Sequence, residues 1–115
     1  MTQLDIVLKA AHILDMRHAH DIVALDLCGA TVIADYFVTA NSTPQMNALA
    51  RELTQQLAKE GIAPTLTERN KTPDWILLDF DGVTVHIFSS NMRDFYALDK
   101  LWADARKIEV PKEEN

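Results

Sequence analysis

Trp75-Ile76-Leu77-Leu78-Asp79-Phe80-Asp81-Gly82-Val83-Thr84-Val85-His86-Ile87-Phe88 is the stretch on which the fold turns. An Asp-Gly pair stands between two apolar runs. That pattern marks a tight hairpin, because both central residues of a type I′ turn need positive φ. A two-residue turn then fixes the register. Phe80 opposes Val83, Leu78 opposes Val85 and Ile76 opposes Ile87, which makes one face wholly apolar. On the other face Asp79 opposes Thr84, Leu77 opposes His86 and Trp75 opposes Phe88. That second face mixes aromatic, carboxylate, hydroxyl and imidazole groups. It is too apolar for water and too polar for an ordinary core, so it calls for a cover or a partner surface.

Outward from the hairpin, the periodicity predicts a helix, two strands, a helix, three strands and a final helix. Leu4, Val7, Leu8, Ala11 and Leu14 recur at helical spacing, which predicts a helix over residues 3–17. His20 to Leu27 and Ala34 to Ala40 read as strands. Ser42-Thr43-Pro44-Gln45 is a helix start, with Ser42 as cap, Gln45 closing a capping box and Pro44 in the first turn. Met46, Leu49, Ala50, Leu53 and Leu57 form the buried stripe of that helix, and Gly61 ends it. Thr65 to Glu68 reads as a short edge strand. Asn91 caps the last helix, whose stripe is Phe95, Leu98, Trp102 and Ala105. Residues 1–107 read as a single domain and 108–115 as a solvated tail. The sum is an α+β domain with helices packed on a mixed β-sheet.

A chain of 115 residues, 48% hydrophobic and 24% charged, has the composition of one globular domain. It carries neither an export-signal pattern nor an apolar run of membrane-spanning length, so the expectation is a cytoplasmic protein with no membrane contact. Its one cysteine, Cys28, fits a reducing compartment and reads as a half-buried strand-end residue. A net charge of −6 argues against independent nucleic-acid binding and suits a basic protein partner.

The chemical motifs are sparse. Asp79-Phe80-Asp81 places two carboxylates at alternate positions, as a two-metal phosphoryl-transfer site would. Asp81, however, is required by the turn, Asp79 faces Thr84, and a chain with three glycines holds no glycine-rich phosphate loop. His12, His18, His20 and His86 have no partners at zinc-ligand spacing. No metal or cofactor is expected. Trp75, Arg93 and Tyr96 are of the types enriched at binding hot spots. Arg93 near a helix start opposes the helix dipole, so it is expected to pair with an acid or a partner.

The ordered set Asp35-Tyr36-Phe37-Val38, Ser42-x-x-Gln45, Gly61, Glu68, Trp75-Ile76-Leu77-Leu78-Asp79, Val85-His86-Ile87-Phe88, Arg93-x-x-Tyr96-x-Leu98 and Leu101-Trp102 resembles the ribosomal silencing factor family, also called Iojap-like. The resemblance spans residues 4–105. It implies a nucleotidyltransferase-like fold without that class's catalytic residues, and hence no enzyme. It implies a translational repressor that binds ribosomal protein L14 on the large subunit and sterically blocks joining of the small subunit, particularly when nutrients are scarce. It also implies that homodimers form. The partner-binding residues carried over are Trp75, Asp79, His86, Arg93, Tyr96 and Glu68. Two other readings stand beside it: a small nucleotidyltransferase-like enzyme using Asp79 and Asp81 with magnesium, and a homodimeric structural domain whose mixed face is covered by its own copy.

Overall fold

The computed structural model describes residues 2–28, 35–41, 46–69, 75–89 and 106–108. Helix α1 (Gln3–Met16) starts at a reciprocal capping box. The Thr2 hydroxyl accepts from the Asp5 amide at 3.1 Å, and the Asp5 carboxylate accepts from the Thr2 amide at 3.0 Å. This holds two otherwise unpaired amides. Strand β1 (His20–Asp26) follows, then β2 (Tyr36–Asn41), helix α2 (Met46–Ala58), and strands β3 (Leu66–Arg69), β4 (Trp75–Phe80), β5 (Val83–Phe88) and β6 (Arg106–Ile108).

The strands form one mixed sheet in the order β3-β4-β5-β2-β1-β6. Among the described residues only the central β2–β5 pair is parallel, and the other four pairings are antiparallel. The β4–β5 register is the one the Asp-Gly turn predicts, from Trp75 opposite Phe88 to Phe80 opposite Val83. Asp81 and Gly82 have φ of 55° and 91°, as a type I′ turn requires.

Both helices lie on the face carrying Ile76, Leu78, Phe80, Val83, Val85 and Ile87. Against those residues α2 packs Met46, Leu49, Ala50, Leu53 and Leu57, the stripe read from the sequence. Helix α1 spans the expected stretch and buries Val7, Ala11 and Leu14 as expected, but its stripe is not the one read from the sequence in full. It buries Ile6, Val7, Ala10, Ala11, Ile13 and Leu14, while Leu4 stays 43% exposed. Apolar residues surround most of α1, so spacing alone supports more than one stripe. The sheet selects the one that α2 leaves room for.

Three further expectations are revised. Cys28 is exposed rather than half-buried, because β1 ends at Asp26 and leaves it in the following turn. Strand β6 was not foreseen: three residues, two of them charged, carry no alternation signal. It exists by pairing, with Ile108 opposite Ala24 and Arg106 bridged to Asp26 at 3.0 Å. Ile108, assigned by sequence to the tail, thus belongs to the sheet. The Ser42 cap and the final helix with Arg93, Tyr96 and Trp102 fall outside the described residues.

The hairpin turn is fastened to the rest of the molecule. Gly82 carbonyl oxygen accepts from the amides of Asp35 and Tyr36 at 2.9 and 3.2 Å. The Gln3 side-chain amide donates to the Asp35 carboxylate at 2.7 Å and to the Asp81 carbonyl at 2.8 Å. The start of α1, the start of β2 and the β4–β5 turn therefore meet at one point.

Candidate functional site

Directly paired residues share a sheet face. Cross-strand register therefore places Glu68, Leu77, His86 and Thr39 in one row across β3, β4, β5 and β2. Trp75, Phe88 and Asn41 form the row on one side, and Asp79, Thr84 and Phe37 the row on the other. Among the described residues neither helix lies on this face; both pack on the opposite one. Of the expected partner-binding residues, Glu68, Trp75, Asp79 and His86 are brought to this single face. Arg93 and Tyr96 lie outside the described residues.

The face is graded. Glu68 on the edge strand is exposed, Trp75, Leu77 and Asp79 are half-buried, and Thr84, His86 and Phe88 are buried. Strand β5 is central and buried on both sides. The accessible part of this face is thus the β3–β4 margin, with an aromatic stack behind it.

That stack is continuous. The His86 ring lies 4.2 Å from Phe37, with 20° between planes, and 5.8 Å from Trp75. Trp75 also stacks on Phe88 at 5.6 Å. The Trp75 indole N–H donates to His86 Nδ1 at 3.0 Å. An accepting Nδ1 leaves the proton of a neutral imidazole on Nε2. Among the described residues that Nε2 is buried without a hydrogen-bond partner, as is the hydroxyl of Thr39, its cross-strand neighbour. A stranded buried donor costs on the order of 1–3 kcal/mol. Burial also pulls the His86 pKa down to about 3, so the ring is neutral at any ordinary pH. At 6% exposure, His86 lies beneath the accessible part of this face rather than on it.

Asp79 has a structural task as well. Its side chain accepts from the Gly82 amide at 3.1 Å, and its carbonyl oxygen accepts from the amide and hydroxyl of Thr65 at 2.7 and 3.1 Å. Asp81 sits in the turn itself. The Asp79 carboxylate is therefore given to the hairpin, and among the described residues no three metal-ligating side chains converge. Sequence reasoning missed Phe37 as part of the stack and Gln3 and Asp35 as the turn clamp. Phe37 lay inside a quoted motif, but only the parallel β2–β5 pairing shows what it touches.

Cys28 carries no comparable arrangement. Asp26 accepts from its amide at 3.0 Å, and the hydrogen bond to the same carboxylate pushes the thiol pKa up, away from the reactive thiolate. On the helical side, α1 and α2 border a groove of about 400 Å³ lined by His12, Ile13, Met16 and Gln56. Beside it, Lys9 of α1 pairs with Glu60 in the turn after α2, and Arg17, the C-cap of α1, pairs with Glu52 of α2.

A mixed six-stranded sheet, helices on one face and a graded aromatic surface on the other define a small α+β domain of the Iojap-like kind. The family model described as "Ribosomal silencing factor during starvation" matches residues 1–115, and the chain belongs to that family. It is 40% identical over 107 residues to "Ribosomal silencing factor RsfS" of Bacillus subtilis, covering 91% of each chain. It is 34% identical over 112 residues to the protein of that name from Halalkalibacterium halodurans, covering 96% of each. Among solved structures, a Chromobacterium violaceum protein superposes with a TM-score of 0.83 at 26% identity, covering 98% of this chain and 95% of that one.

Proposed function

We propose that this protein represses translation by docking on the large ribosomal subunit, through ribosomal protein L14, and standing where the small subunit must join, above all under nutrient limitation. The observation that carries the reading is family membership along residues 1–115. A cytoplasmic, non-enzymatic role follows from that partner. The mechanism is steric competition for one surface. It needs affinity and shape, and no bond is made or broken.

The graded face supports the placement of the contact. Trp75 and Leu77 offer a half-buried apolar centre, Glu68 and Asp79 a polar border, which is the anatomy of an ordinary interface. The net charge of −6 favours a basic partner and speeds encounter with it. Arg93 and Tyr96 extend the proposed surface on the strength of their motif. A second copy of the chain docking on the same face would compete with the ribosome.

Sedimentation tests this. The protein is expected to travel with isolated large subunits and not with small ones, and to lower the yield of joined ribosomes when added before mixing. Trp75→Ala is expected to weaken large-subunit binding by at least about 2 kcal/mol, roughly thirtyfold. Equal travel with both subunits, or unchanged joining at saturation, overturns the proposal.

A further inference from the structure

We infer that His86 is a positioning residue: its Nδ1 fixes the Trp75 indole in the orientation that meets the partner. This rests on the docking reading above and deepens it.

The indole N–H points at Nδ1 from 3.0 Å, and the two rings lie nearly parallel. Phe37, packed against the imidazole at 4.2 Å, keeps it from retreating. At 6% exposure the imidazole offers a partner almost no surface, so its influence must pass through a neighbour. Its other nitrogen is buried and, among the described residues, unpaired. A hydrocarbon side chain of similar volume would fill this place without stranding a donor. What the imidazole supplies that a hydrocarbon cannot is the acceptor for the indole. Trp75 is the first residue of β4 and half-buried, and the hydrogen bond fixes which edge of its ring faces His86. An anchor held in its bound orientation loses less entropy on docking.

The test compares five variants of the full chain by binding to isolated large subunits and by the indole N–H resonance of Trp75, assigned through Trp75→Phe. His86→Leu is expected to stay folded, shift that resonance and bind about tenfold more weakly. His86→Asn, whose side-chain oxygen falls near the Nδ1 position, is expected to restore the resonance and most of the binding. Trp75→Phe and the double variant Trp75→Phe/His86→Leu are expected to bind equally, because the imidazole acts only through the indole. A weak Trp75→Phe beside a His86→Leu that binds like the parent overturns the positioning role and leaves the docking reading intact. Parent-like binding by both Trp75→Phe and Trp75→Ala overturns the docking face itself, and the positioning role with it. If His86→Leu fails to fold, the His86→Asn result decides: a parent-like resonance with tenfold weaker binding also overturns the inference.

Discussion

At the residue scale, His86 links the chemistry of one ring to the stability of the whole. Unfolded, it titrates near its ordinary value of about 6.5. Folded, burial holds it near 3. Between those values the unfolded chain binds a proton that the native chain does not. Stability is therefore full above about pH 6.5 and falls as the pH drops toward 3. From pH 8 to pH 5 the loss from this one group is about 2 kcal/mol. The carboxyls of Asp5, Asp26 and Glu52, held low by their hydrogen bonds, respond only nearer pH 4 and below. Urea titrations at pH 8 and pH 5 are expected to show the loss in the parent and its near absence in His86→Leu. Equal losses in the two proteins would refute it. The sequence placed Trp75 and His86 on one face because alternation is local. It expected His86 at the surface because burial is not local: it depends on Phe37 and Thr39, brought alongside by a strand far away in the chain.

At the scale of elements, the hairpin was legible down to its pairing, since one Asp-Gly pair fixes both turn type and register. Helix α2 was legible for a similar reason: its apolar residues fall on one stripe and polar ones elsewhere. Helix α1 was legible in its extent and in Val7, Ala11 and Leu14, but the sheet picks the rest of its buried side; strand β6 was not legible, because β1 supplies its reason to be extended. The turn also offers a sharp test. A Cβ on Gly82 would sit 2.6 Å from the Gln3 side-chain nitrogen and 2.9 Å from an Asp35 carboxylate oxygen, at a φ of 91°. Gly82→Ala is thus expected to lose roughly 2–4 kcal/mol, from left-handed backbone strain and the broken Gln3–Asp35 bond together. Leu78→Ala, on the buried face at 1% exposure, is expected to lose about 2–5 kcal/mol through its cavity. Thermal melting reads both. Gly82→Ala melting with the parent would show that the clamp contributes nothing.

At the scale of the molecule, the enzyme reading makes a demand the hairpin does not meet, since Asp79 is tied to the Gly82 amide and Asp81 lies in the turn. Incubation with labelled nucleoside triphosphates and magnesium is expected to yield no product. Product that disappears in Asp79→Asn would restore that reading. The central parallel pairing of β2 with β5 has a further consequence, in the order of events during folding. The β4–β5 hairpin needs only neighbouring residues and closes in roughly 1–10 μs. Strand β2 joins it only after the chain carrying α2 and β3 has been drawn around, as parallel strands demand. A chain caught between these moments already carries Trp75 beside His86, with no Phe37 behind them. On the docking reading proposed above, finishing the sheet and completing the surface that holds a partner are a single step.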